Sequence, residues 1–343
     1  MQPGQPVSPV RRAEARGGRP RIVRRAVHGV LLLDKPLGWT SNDALQKAKW
    51  LLRAEKAGHT GTLDPLATGL LPLCFGAATK FSQISLDADK AYRATLHLGQ
   101  RTRTGDREGE VIEVRTVQVD RAGIAAAVAG LTGPISQVPP MHSALKKDGK
   151  ALYEYARAGI EVERAPRSVT IHAIDIIDWQ DATLVIDVRC SKGTYIRTLA
   201  EDIGQALGCG AHLIGLRRTG SGPLSLAGAV SLAELEATIE ADRLALLQPM
   251  DSLLADWPAL TLDAAEAGRF LTGLRRRVQL PDAPALRIYG PEPGAFLGSA
   301  HVSAGELIAD RLLSPAEVQS LLVTRLPTAV SHAAPEALAA AAA

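Results

Sequence analysis

One carboxylate stands out for its surroundings. Asp64 lies in the run Gly58-His59-Thr60-Gly61-Thr62-Leu63-Asp64-Pro65-Leu66-Ala67-Thr68-Gly69-Leu70-Leu71-Pro72. Three glycines, three threonines and two prolines disfavour a regular helix or strand, so a shaped loop is expected whose backbone can approach a ligand closely. Leu63, Leu66, Leu70 and Leu71 put apolar groups around the carboxylate. A partly desolvated, fixed carboxylate suits nucleophilic attack or proton transfer. The plainer alternative is an Asp-Pro turn with no chemistry at all.

The rest of the chain restricts what that chemistry can be. There is no dinucleotide fingerprint, no phosphate-binding loop and no cluster with metal-ligand spacing. The three cysteines, Cys74, Cys190 and Cys209, form no CxxC pair; this argues against a zinc site or a disulfide framework and for a reducing, cytoplasmic setting. No apolar run approaches the roughly 18 residues of a membrane span. The best candidate, Leu70 to Ala78, is short and broken by Pro72, and no secretory h-region is visible. No cofactor and no metal are expected. The net charge is +3, yet residues 1–26 hold seven arginines and one glutamate, so the remainder sums to −3. Nucleic-acid binding would therefore rely on local patches.

The elements that must position Asp64 are legible in outline. With 343 residues, 46% of them apolar and 22% charged, the chain suits one large folded domain and a small one. Residues 1–27 read as a disordered basic tail. Gly29–Asp34 reads as a buried strand, followed by a helix to about Arg53 with Ser41, Asn42 and Asp43 as candidate N-caps. Ala91–Leu98 alternates, with Tyr92, Ala94, Leu96 and Leu98 on one face, which predicts a half-buried strand. Val119–Ala129 reads as a helix capped by Asp120. Arg167–Ile177, Thr183–Cys190 and Ala211–Arg218 read as strands, and Thr194–Leu207 as an amphipathic helix. Strands and helices do not repeat as βαβα, so α+β with a mixed, largely antiparallel sheet is expected. Residues 251–323, punctuated by Gly and Pro, read as a small β-rich domain, and 324–343 as an Ala-rich tail.

The loop resembles, nearly letter for letter, the signature of the TruB family of pseudouridine synthases. The resemblance implies a pseudouridine synthase catalytic domain over residues 28–250 and a PUA-like RNA-binding domain over 251–323. It implies isomerisation of the uridine at position 55 in the T-loop of tRNA, with Asp64 as the catalytic nucleophile. His59 matches the histidine that takes the space of the flipped uridine. Leu33-Asp34-Lys35-Pro36-Leu37-Gly38-Trp39-Thr40-Ser41 is similar to the family's first motif, giving Lys35 a supporting role. Lys90-Ala91-Tyr92-Arg93-Ala94 matches the strand that carries the active-site tyrosine, Tyr92, although a core aromatic is the alternative. Cys190-Ser191-Lys192-Gly193-Thr194-Tyr195-Ile196-Arg197-Thr198 matches the third motif and supplies Tyr195 and Arg197. By the resemblance Arg197 pairs with Asp64; the local alternative is an i,i+4 pair with Glu201. Leu216 becomes a wall of the base pocket and Asp106 a neighbour of the flipped base.

Residues 139–167 are similar to the family's RNA-gripping insertion, with Lys146, Lys147, Lys150 and Arg167 for phosphates. His142 departs from the pattern, standing where a tyrosine is expected. A second reading is a tRNA-binding or tRNA-folding protein without catalysis. A third keeps the enzyme but gives it another structured RNA; a stand-alone layout without a long lysine-rich C-terminal tail argues against that. The expected partner is tRNA through its T-arm, with no membrane, no obligate protein partner and a monomeric state.

Overall fold

A computed structural model describes residues 23–324; the basic stretch 1–22 and residues 325–343 lie outside the described residues. The ordered body begins earlier than His28. Arg25 bridges to Ala54, its N–H donating to the Arg53 carbonyl, and Val27 is buried in the core.

The N-terminal half runs β1 (Gly29–Lys35), α1 (Ser41–Leu51), β2 (Ala57–His59), β3 (Ala67–Phe75), α2 (Ser82–Asp87), β4 (Lys90–Leu98), β5 (Gln100–Thr102), β6 (Val111–Val114), α3 (Arg121–Gly130) and β7 (Gly133–Gln137). It continues through a short hairpin, β8 (Lys146–Lys147) and β9 (Lys150–Ala151), into α4 (Leu152–Arg157), then β10 (Arg167–Gln180), β11 (Thr183–Cys190), α5 (Ile196–Ala206), β12 (Ala211–Ser221), β13 (Leu224–Ser225), β14 (Val230–Ser231) and α6 (Leu232–Ala237). Ten strands form one sheet, ordered β14-β1-β3-β12-β4-β11-β10-β7, with β2 on β3 and β13 on β12. All pairings are antiparallel except β1–β14 and β3–β12. The α+β class with a mixed, largely antiparallel sheet is therefore what the chain adopts.

Interior position in the sheet explains the strand compositions. β1 has neighbours on both edges, so Gly29–Leu33 are all buried and the strand reads as a continuous apolar run. β4 keeps its alternation and lies between β11 and β12. Helices α1 and α6 cover one part of the sheet through Ala44, Leu45, Leu51 and Leu235. Helices α3 and α5 cover another through Ile124, Val128, Leu199 and Ile203. The N-cap of α1 is Thr40, whose hydroxyl accepts from Asp43 N–H, while Ser41 faces inward on the loop that carries Asp64.

Half of that expected loop is strand. Residues 67–75 form β3, carrying Gly69 and Pro72 inside the sheet. Pro72 pairs with Leu32, and its carbonyl still accepts from Thr60 N–H. Gly69 has φ +97°, and a Cβ there would sit 2.3 Å from the Arg218 carbonyl oxygen and 2.9 Å from its nitrogen. No flexible side chain can yield there, because β12 backbone is the obstacle. Gly69→Ala is expected to lose about 3 kcal/mol and to lower Tm by roughly 6–10 °C in thermal unfolding. A shift under about 2 °C would show that β12 moves away freely.

Beyond Leu254, strands at residues 259–261, 283–289, 296–303, 306–312 and 276–277 form a second, five-stranded sheet. Its interior is continuous with the first. Phe81 of the N-terminal half packs on Phe296 with ring centroids 5.3 Å apart, and Val30, Leu70 and Phe81 share one apolar cluster with Phe270, Ile288 and Phe296. Lys80 pairs with Glu317 at 2.6 Å, and Tyr289 donates to Asp251 at 2.5 Å. Of the three consecutive arginines, Arg276 turns inward to Glu266, while Arg275 and Arg277 are exposed.

Candidate active site

Asp64 sits in the seven-residue link that remains between β2 and β3. The link is pinned from several sides. Ser41 Oγ accepts from Leu63 N–H at 2.8 Å and donates to the Leu63 carbonyl at 3.1 Å. Gly38 N–H donates to the Pro65 carbonyl at 2.8 Å, and Ala67 N–H to the carbonyl of Asp64 itself. Ser85 donates to Thr60 Oγ1 at 3.0 Å. Backbone fixed on both sides of Asp64 leaves its carboxylate few ways to point, while its side chain keeps 45% exposure. It is held in place yet reachable.

Arg197 is the cation that meets it. Its Nη2 lies 2.9 Å from Asp64 Oδ2, and its Nη1 lies 3.4 Å from Asp106 Oδ2. Nη1 also donates to the Thr104 carbonyl and Nη2 to the His142 carbonyl. The Arg197 side chain is only 6% exposed, so its charge needs compensation nearby. It also occupies the second position of α5, near the positive end of the helix dipole, where a cation is unfavourable. Two carboxylates outweigh that. Glu201, one turn further on, makes no ion pair with Arg197 among the described residues; burial pushes its carboxyl above the ordinary range. Asp106 is itself immobilised: its Oδ1 accepts from Thr104 Oγ1 and from Glu108 N–H, and its backbone bridges to Leu213 of β12.

Three further predicted residues lie within electrostatic reach of Asp64. Lys35 is fully buried and donates to the carbonyls of Pro36 (3.0 Å) and Trp39 (2.6 Å). It thereby shapes the turn whose Gly38 clamps Pro65. Burial lowers its pKa to about 8, against the attraction of Asp64. Tyr92 projects from β4, and burial pushes its phenol above the usual value. Tyr195 caps α5; its N–H donates to Gln137 Oε1 at 3.0 Å, and Gln137 Nε2 donates back to the Tyr195 carbonyl. Burial raises its phenol too. Leu216 on β12 pairs with Ala94 and Ala67 and packs, with Tyr92, against the apolar clusters on either side of the site.

His59 ends β2 and is half-buried, with its Nδ1 enclosed and without a hydrogen-bond partner among the described residues. Burial, and secondarily the charge of Arg218, lower its pKa, so the imidazole is neutral at pH 7. A neutral ring is the form that can enter a base stack without dragging a charge from water. Lys146, Lys147 and Lys150 stand apart on the exposed β8–β9 hairpin, and Arg167 is exposed at the start of β10. The insertion still touches the site, because the His142 carbonyl that meets Arg197 belongs to it. Ser41, Thr104 and Gln137 were not foreseen as site residues; they act through backbone groups, which leave no pattern in sequence.

No group of three or more metal-ligating side chains occurs among the described residues, and no described helix is long and apolar enough to cross a membrane. A carboxylate held by a buried guanidinium, flanked by two phenols and an apolar wall, can deliver an oxygen nucleophile or base to a planar ring.

Comparison with known proteins points the same way. Residues 49–196 match the family model described as TruB family pseudouridylate synthase (N terminal domain). Residues 197–255 match the tRNA pseudouridylate synthase B C-terminal domain, and 258–313 match Pseudouridine synthase II TruB, C-terminal. The tRNA pseudouridine synthase B of Verminephrobacter eiseniae (strain EF01-2) is 59% identical over 314 residues, covering 90% of this chain and 95% of that protein. The protein of the same name from Cupriavidus pinatubonensis (strain JMP 134 / LMG 1197) is 60% identical over 304 residues, covering 86% and 96%. Among solved structures, a Cbf5-Nop10-Gar1 complex aligns with a TM-score of 0.65 at 25% identity, covering 85% of this chain and 87% of that one. The archaeal box H/ACA sRNP Nop10-Cbf5 complex aligns at 0.63 and 25%, covering 84% and 86%.

Proposed function

The chain belongs to the TruB family of pseudouridylate synthases and is an isomerase that makes pseudouridine in tRNA; from that premise we propose that its target is the uridine at position 55 of the T-loop and that Asp64 carries the reaction. The observation that supports this most directly is the 2.9 Å pair between the half-open Asp64 carboxylate and buried Arg197. The isomerisation breaks the N1–C1′ bond and forms a C5–C1′ bond; C5 gives up a proton and N1 gains one, so no redox partner is needed. The uridine must first leave its stack, at about a few kcal/mol. Neutral His59 fills the vacated space. Tyr92 offers an aromatic face to the uracil, and its hydroxyl is the candidate acceptor for the C5 proton. Attack of Asp64 on C1′, attack on C6 and elimination to a glycal all use the same carboxylate in the same place.

The T-arm is read by shape and splayed bases, so an isolated T-arm stem-loop is expected to be a substrate for the purified chain alone. The test is tritium release from uridine labelled at C5. Tight stem-loop binding without release would favour a binding or folding role and remove the catalytic reading.

The exposed β8–β9 lysines contribute salt-sensitive affinity in this reading. Replacing Lys146, Lys147 and Lys150 by Gln is expected to weaken tRNA binding about tenfold near 0.1 M salt. It is also expected to reduce the slope of log K against log salt by roughly 2, with the rate at saturating tRNA unchanged. An unaltered salt slope would place the phosphate contacts elsewhere.

A further inference from the structure

Arg218, in β12, is 1% exposed and ranks among the largest fully buried side chains. Burial disfavours its charge, and no carboxylate forms an ion pair with it among the described residues. A guanidinium in a dry interior without a carboxylate is costly, so its place here calls for a physical account. Its hydrogen bonds are specific. Nε donates to the Leu70 carbonyl at 2.7 Å and Nη2 to the Gly61 carbonyl at 3.2 Å. Gly61 and Leu70 stand on the two sides of Asp64, one before it in the link from β2 and the other in β3. In the β4–β12 ladder Arg218 is also the direct cross-strand partner of Tyr92. Directly opposite residues share a face of the sheet; Leu216 and Ala94, two residues along, continue that face.

Two carbonyls alone do not require a cation, since a neutral amide side chain supplies N–H donors as well. The phenol does. Tyr92 is faced by Arg218 from β12, by Cys190 from β11 and by Asp64 from the loop. Burial raises its pKa, and Cys190 and Asp64 add to the rise. The guanidinium is the charge that opposes it.

We propose that Arg218 is a positioning residue for the isomerisation, fixing the Tyr92 hydroxyl and both arms of the Asp64 loop in one rigid frame. The inference rests on the function proposed above, in which Tyr92 faces the uracil. The frame also explains the glycine at position 61, where a Cβ would lie 3.3 Å from Arg218 Nη1 at φ +119°.

The test uses the full chain with 3-fluorotyrosine at position 92, as wild type, Arg218→Met and Arg218→Lys. In Arg218→Met the fluorine-detected ionisation midpoint is expected to rise by about one pH unit or more. In Arg218→Lys, which keeps the charge but loses the fork, the midpoint stays within about half a unit while the resonance moves. Single-turnover tritium release from a saturating T-arm stem-loop is expected to fall at least about 30-fold in both variants, with the Kd for RNA within about threefold. With Phe at position 92, Arg218→Lys is expected to cost less than about threefold, because the group it acts through is gone. An unchanged fluorine titration in Arg218→Met overturns the proposal. So does an equal loss of rate in the Tyr92 and Phe backgrounds, which would make Arg218 a structural residue only. Absence of release from the wild type would instead overturn the proposed function, so the two failures are told apart.

Discussion

Asp64→Asn is expected to lower pseudouridine formation by at least about 10⁴-fold, or roughly 5.5 kcal/mol of transition-state stabilisation. It should leave tRNA affinity within about threefold and Tm nearly unchanged. The three parts follow from one geometry. Asn has the shape of Asp but no anionic oxygen, so it can neither attack a sugar carbon nor accept a proton. Its neighbours lose little. Arg197 keeps Asp106 at 3.4 Å and the Thr104 and His142 carbonyls, so the buried guanidinium is not stranded. The backbone pins at Leu63, Pro65 and Thr60 do not involve the carboxylate. Asp64→Glu restores the charge but pushes it outward by one methylene against a clamped backbone. It is expected to recover at most about 1% of the rate, because misplacement by about 1 Å costs on the order of a hundredfold. Single-turnover tritium release, RNA filter binding and thermal unfolding on the same preparations separate these effects. Residual activity above about 1% in Asp64→Asn would take the carboxylate out of the chemistry.

Legibility in sequence followed distance along the chain. The alternation of Ala91–Leu98 became β4 because a half-buried strand imposes a period of two, and that period is local. β3 was hidden. Gly69 and Pro72 look like strand breakers, yet Gly69 is there because the Arg218 backbone crosses it, and Pro72 is tolerated within the ladder to β1. Both reasons lie in other strands. Thr40, not Ser41, caps α1, and Ser41 was drawn to Leu63, 22 residues away. The site divides in the same manner. For Arg197 the sequence-near partner was Glu201, one turn along the helix. The observed partners are Asp64, 133 residues distant, and Asp106. Only the resemblance joined Arg197 to Asp64; no periodicity does so. Asp106 matched a position in the family, but its contact with Arg197 depends on β12 holding the 102–109 turn through Leu213. The Arg218 clip works through carbonyl oxygens, and every residue has one.

Arg197→Met is expected to damage both stability and rate, and a second substitution should pull the two apart. The guanidinium neutralises a site with two carboxylates, one of them on Asp106 at 6% side-chain exposure. Removing it leaves that carboxylate buried without a counter-charge, an arrangement that costs about 3–5 kcal/mol. It also leaves Asp64 without its orienting donor, for which a loss of about 10³-fold in rate is expected, near 4 kcal/mol. Adding Asp106→Asn to Arg197→Met removes the stranded charge, so most of the stability should return. The rate should not, because nothing then fixes the Asp64 oxygen. Arg197→Lys gives the intermediate case. An ammonium keeps the charge but cannot reach Asp64, Asp106 and the two carbonyls at once from a single nitrogen. Stability within about 2 kcal/mol of wild type and a rate down about 10²-fold are expected. Denaturant unfolding and single-turnover rates on all three variants decide the matter. If Asp106→Asn restored the rate along with the fold, Arg197 would serve only as a counter-ion, and the orientation of Asp64 would have to come from the backbone pins alone.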